Sequence, residues 1–134
     1  MNHIASPSTE DSAIEREIIN KGKTAPRVTP AEIEANIDSV WYINGATGVV
    51  PDAYQPPVSA SSPLNLLTIC VLVLRNGFTV TGESACASPE NFDAEIGRGI
   101  ARQNAEQKIW PLMGYQLKEQ LYQHAETIRR VQGE

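Results

Sequence analysis

The run GFTVTGESACASPENFD, residues 77–93, sets a carboxylate, a hydroxyl and a thiol (Glu83, Ser84 and Cys86) just ahead of a Ser-Pro helix start. A thiol before a helix N-terminus is in the setting that lowers a cysteine pKa and makes a nucleophile. Nucleophilic catalysis also needs a base, and the two histidines, His3 and His124, fall near the two ends of the sequence. Cys86 therefore reads as a small packing residue, and Glu83, on a threonine-flanked strand, as a solvated cross-strand partner. Cys70 and Cys86 lack the spacing of a structural zinc site. Neither a dinucleotide fingerprint nor a phosphate loop is present. The expectation is a non-enzymatic protein with no catalytic set, no metal and no cofactor.

A second grouping carries binding chemistry. Arg98 and Arg102, at i and i+4 of a helical pattern, project together and can grip a phosphate. Trp41 or Tyr42 can stack a base. Arg75 and Phe78 flank an Asn-Gly turn, and Thr79, Thr81 and Glu83 line the strand that follows. These nine residues form the candidate ligand-binding set, with Thr79, Thr81, Glu83, Arg98 and Arg102 bordering one corner. The competing reading is a solvated face balanced by Glu95 and Glu106.

The elements that must position these residues follow from local signals. Residues 1–11 are polar, without periodicity, and read as a flexible N-terminus. Residues 12–134 read as one domain. SAIEREIINKG is a short helix stopped by Gly22, and TPAEIEANI carries a capping box, with Thr29 as N-cap, Pro30 first and Glu32 three after the cap. That helix is expected to end near Ser39, before a short VWYI strand. Residues 44–63, rich in Gly, Pro and Ser, read as a long mobile loop.

Asn76-Gly77 between two β-rich runs predicts a hairpin with a two-residue type I′ turn. That turn pairs Val73 with Val80, Val71 with Gly82 and Cys70 with Glu83. It puts Leu67, Ile69, Val71, Val73, Phe78 and Val80 on the core face, with Cys86 at its end. Cys70 then lies on the opposite face from Cys86, and no disulfide is expected. The second face, with Leu66, Leu72 and Leu74, is half apolar. It calls for cover by the N-terminal helices or by another subunit, and a homo-oligomer is expected.

Ser88 caps a long helix striped by Phe92, Ile96 and Ile100, which Pro111 ends or kinks at Trp110. A second helix follows to near the C-terminus. The fold class is α+β: a small antiparallel hairpin sheet packed by N-terminal helices and a long, Pro-kinked C-terminal helical pair.

Composition narrows the function. The 134 residues carry a formal net charge of −5, which disfavours a sequence-independent grip on duplex nucleic acid. The longest apolar run, Leu66 to Leu74, is far shorter than the roughly 20 residues a membrane helix needs. Two cysteines and no secretory-like start make a reducing cytoplasm the expected location.

APRVTPAEIEANI, with LTICVLVLRNGFTVTGESACASPENFDAEIGRGIARQNAEQKIWPLMGYQLKEQL, resembles the small tailed-phage protein family typified by the gene 49 product of phage N4 and the gene 66 product of phage Sf6. NGFTVTGESAC and NFDAEIGR are its specific runs. The resemblance implies a phage or prophage gene acting in the cytoplasm of the host cell, and it brings no catalytic residues. Small phage accessory proteins often counter host defence, some by sequestering nucleotide second messengers. By that analogy the leading expectation is an oligomeric protein that binds and sequesters a small nucleotide immune signal. The alternative is a protein-binding module that inhibits or redirects a host enzyme.

Overall fold

A computed structural model describes residues 9–50 and 55–133; most of the proposed N-terminal tail and part of the proposed 44–63 loop lie outside them. The chain divides into two compact units, residues 1–35 with 109–134, and residues 36–108.

The first unit contains α1 (Thr9–Asn20), α2 (Pro30–Ala35) and α5 (Ile109–Gly133). Gly22, at φ +68°, ends α1: its N–H donates to the Ile19 carbonyl, and the Lys23 N–H reaches back to Ile18. This is the paired bonding of a glycine-terminated helix. Arg27 then clamps α1 with two hydrogen bonds to the Glu15 carboxylate, at 2.5 and 2.9 Å. The cap of α2 forms as expected, the Glu32 N–H donating to Thr29 Oγ1 at 3.2 Å.

That helix stops at Ala35, four residues short of the expected end, because the Asn36 carbonyl accepts the Arg75 N–H and draws the chain into the sheet. The interruption expected of Pro111 at Trp110 falls two residues earlier, at Lys108: Pro111, in the first turn of α5, has no N–H to give the Gln107 carbonyl four residues back.

The second unit holds a three-stranded antiparallel sheet in the order β1-β2-β3, formed by Ile37–Asn44, Leu67–Leu74 and Thr79–Ala85. Between β1 and β2 lie α3 (Gly45–Gly48) and a 3-10 turn, Pro63–Leu66. Asn44 caps α3 with its side-chain oxygen and donates to the Asn65 carbonyl, so both ends of the proposed loop are tied down. A second 3-10 turn, Pro89–Asn91, precedes α4 (Ala94–Gln107). Asp93, not Ser88, caps α4, accepting from the N–H groups of Glu95 and Ile96.

The hairpin register differs from the expected one by one residue, which exchanges the two faces of β2. Gly77 alone has positive φ, +90°; Asn76 does not, so a type I′ turn is excluded. The loop has three residues. Gly77 N–H donates to the Leu74 carbonyl, Leu74 N–H to the Phe78 carbonyl, and Asn76 Oδ1 accepts the Phe78 N–H. Leu72 therefore pairs with Val80, and Cys70 with Gly82.

The covered face carries Thr68, Cys70, Leu72, Leu74 and Val80, all buried. The expected core face of Leu67, Ile69, Val71 and Val73 is only half-buried, and Phe78 is exposed. Leu72 and Leu74 are thus sealed inside the protomer and offer no subunit contact.

What covers that face is α4, through its smallest side chains. A Cβ on Gly82 would lie 2.2 Å from both the Ala101 carbonyl oxygen and the Ala105 nitrogen, so helix backbone rests directly on strand. One on Gly97 would stand 3.0 Å from Thr68 Oγ1. Ala101 and Ala105 are fully buried, whereas Ile96 and Ile100 of the expected stripe are exposed. Only the face bearing Gly82 can admit a helix this closely. Cys70 and Cys86 are both free. Cys86 lies four residues past the Cys70 partner, about 13 Å along the strand, so distance rather than opposite faces keeps them apart.

Candidate functional site

The sheet divides the candidate set. Tyr42 and Arg102 belong to the side covered by α4. Trp41, Thr79, Thr81 and Glu83 lie on the open side, and Arg75 and Phe78 sit at the hairpin turn. The corner expected between Thr79, Thr81, Glu83 and the two arginines does not form, because α4 packs on the Val80 and Gly82 face of β3 and the three strand residues lie on the other face.

On the covered side, the Arg102 Nε stands 3.6 Å from Glu106 Oε2, and both side chains are nearly buried. The Arg102 guanidinium also lies beside the Tyr42 hydroxyl. Burial pushes the Tyr42 phenol up, with the neighbouring Cys70 adding to it and the charges of Arg102 and Arg98 opposing. Burial likewise pushes the Cys70 thiol up to about 11, against the pull of Arg102. The guanidinium–carboxylate pair lies within α4, on the side that meets the neutral Cys70 thiol and Tyr42 phenol of the sheet. Arg102 is buried there and is not displayed to a ligand.

Cys86 borders a small cleft of about 140 Å³ with Leu66, Phe92, Ile96 and Ile100. Its thiol donates to the Ser88 carbonyl at 3.2 Å, and the nearby Asp93 carboxylate is engaged in capping α4. In the first unit, a cleft of about 340 Å³ runs along Val28, Glu32, Met113, Gln116 and Leu117, and the Arg27 on its wall is already paired with Glu15. Among the described residues, no three His, Cys, Asp or Glu side chains group closely enough to hold a metal ion.

The open face is a lattice of three rows. Trp41, Val71 and Thr81 form the middle one, between Ser39, Val73 and Thr79 on one side and Ile43, Ile69 and Glu83 on the other. Trp41 is 61% exposed, and its indole N–H donates to Ser39 Oγ at 2.9 Å. With its polar atom satisfied along the strand, the ring is left to make apolar contact. No lysine or arginine stands in the lattice, and Glu83 carries its only formal charge. The sequence reading reached Trp41 and the two threonines but assigned Ile69, Val71 and Val73 to the core. Gly77 as the sole positive-φ residue of the turn is the signal that separates the two registers.

An antiparallel sheet sealed by a helix on one side and open on the other defines a small α+β protein that presents a sheet surface. The chain belongs to the Phage protein (N4 Gp49/phage Sf6 gene 66) family, which it matches over residues 28–121, more than two thirds of its length. No curated protein and no solved structure matches it. No helix among the described residues is long and apolar enough to cross a membrane.

Proposed function

We propose that this phage protein is a non-catalytic binding protein that docks its open sheet face on a protein of the host cell and so inhibits or redirects it. One observation carries the reading: a half-buried apolar lattice with an exposed tryptophan in its middle row, a single carboxylate at its edge and no cation. Apolar faces with an aromatic anchor suit protein interfaces, where such residues are enriched and charges depleted at the centre. A phosphate needs donors, and the lattice has only hydroxyls beside a like-charged Glu83.

Sequestration of a nucleotide immune signal, the other expectation, drew on an aromatic-plus-arginine surface and a half-apolar sheet face suited to assembly; Arg102 lies under α4 beside Glu106 and Tyr42, and Trp41 stands on the opposite side of the sheet.

The test is a photo-crosslinking amino acid placed at Thr81 in infected cells, with Gln103 on the exposed side of α4 as control, beside calorimetry against cyclic and linear nucleotides. The expected result is one host protein captured from position 81 and not from 103, with no nucleotide heat. Nucleotide binding without a position-81 adduct refutes the proposal.

A further inference from the structure

The chain contains two Asn-Gly steps, Asn44-Gly45 and Asn76-Gly77, and the fold treats them differently. An asparagine followed by glycine carries its own nucleophile, the next backbone nitrogen, and glycine has no Cβ to block the approach to the amide carbon. At Asn44 the side-chain amide is held at both ends: Oδ1 accepts the Ala46 N–H at 2.9 Å, and Nδ2 donates to the Asn65 carbonyl at 3.1 Å. Gly45 is buried, and a Cβ on it would stand 2.7 Å from the Leu64 carbonyl oxygen, so the backbone is packed in place.

At Asn76 only the oxygen is held. Oδ1 accepts the Phe78 N–H at 2.9 Å, and Nδ2 has no hydrogen-bond partner among the described residues. That N–H polarises the Asn76 side-chain carbonyl and is the donor already on the oxygen that gathers charge when the carbon is attacked. The Gly77 N–H is bonded to the Leu74 carbonyl at 2.9 Å, and this bond has to open before the nitrogen reacts. Arg75 to Thr79 are all exposed, and an exposed hairpin tip is where such opening costs least.

We propose that Asn76 is a self-modification site: the hairpin tip deamidates without an enzyme, to aspartate and isoaspartate, while Asn44 stays intact. Water or hydroxide takes the Gly77 N–H proton, the nitrogen bonds to Asn76 Cγ, and the Cγ–Nδ2 bond breaks, releasing ammonia and closing a succinimide. Water then opens the ring. Cleavage between the Gly77 nitrogen and Cγ gives aspartate. Cleavage between that nitrogen and the main-chain carbonyl carbon gives isoaspartate, whose main chain runs through Cβ and Cγ and is longer by one atom. Either product adds a carboxylate beside Arg75 and Phe78, in a chain already at −5. Isoaspartate also lengthens the three-residue loop and disturbs the Gly77 bond to Leu74. The chemistry belongs to the turn and is independent of what docks on the open face.

The test ages the purified full chain in warm, mildly alkaline buffer, digests it in acid, where the reaction stops, and maps the peptides around 44 and 76 by mass spectrometry. The expected result is a gain of one mass unit at 76 that exceeds any gain at 44 by roughly tenfold or more. Isoaspartate is read independently by carboxyl methylation with a protein isoaspartyl methyltransferase. In urea both steps should convert at similar rates, because neither amide is then held. Asn76→Gln, whose ring closure needs one more atom, should keep the far-ultraviolet circular dichroism and abolish the methylation. Equal conversion at 44 and 76 in the folded protein overturns the inference, as does a folded chain with Asn76 intact after the urea sample has converted. Methylation that persists in folded Asn76→Gln places the isoaspartate elsewhere and overturns it too. If Asn76→Gln does not fold, the wild-type peptide map decides.

Discussion

Replacing Gly82 with alanine adds one methyl where there is no room for it. Its Cβ would stand 2.2 Å from two backbone atoms of α4 and 2.8 Å from a third, the Asn104 carbonyl carbon. An ordinary contact is about 3.5 Å, so α4 has to retreat by roughly 1.3 Å. A gap of that size forfeits about half the dispersion energy along the Gly82–Ala101–Ala105 seam. It also stretches the Asn104 bond to the Glu83 carbonyl. Overpacking a tight core costs up to about 3 kcal/mol, and backbone on both sides of the clash places this site at the upper end.

For a cooperative unit of this size, that corresponds to a fall in Tm of roughly 10–20 °C. Gly99 is the internal control: it lies in α4, and a methyl group added there would meet nothing within 4 Å, so Gly99→Ala should stabilise the protein by about 0.5–1 kcal/mol through helix propensity. Urea and thermal unfolding of both variants, followed by circular dichroism, measure the two effects. Equal and favourable shifts would refute the seating of α4 on β3 at Gly82.

Arg102→Met removes the guanidinium beside the nearly buried Glu106 carboxylate and should cost about 3 kcal/mol in urea unfolding. Adding Glu106→Leu should recover part of that loss, and a double variant no better than the single one would argue against the pair. The Cys70 thiol, held near 11 in the fold against an ordinary value of 9.0, keeps its proton while the unfolded chain loses it. Stability is therefore fully present below pH 9 and falls as pH rises toward 11; Cys70→Ala should flatten that slope, leaving the smaller part due to Tyr42. Arg27 holds the Glu15 carboxyl below its ordinary 4.5, so this pair supports the first unit above that pH and is lost on acidification. Glu15→Gln should remove the acid limb for α1 amides in hydrogen exchange.

Much of the fold is legible in the sequence because its signals are local. Gly22 past a helix, Thr29-Pro30 before one, and Asn-Gly between two apolar runs each act within a few residues, and each forms the stop, cap or hairpin expected of it. The α+β class and the family follow from that level. The binding face does not. An Asn-Gly turn closes with two or three residues by a small difference in backbone angles, and the choice moves every β2 side chain to the other side of the sheet.

Both faces of β2 are apolar enough to serve as core, so hydrophobic pattern cannot choose between them. Local sequence determined the helices, the strands and the position of the hairpin. The tertiary structure decided which face is buried, because only the face carrying Gly82 lets the backbone of α4 approach, and that contact leaves Trp41 and the threonines on the open side.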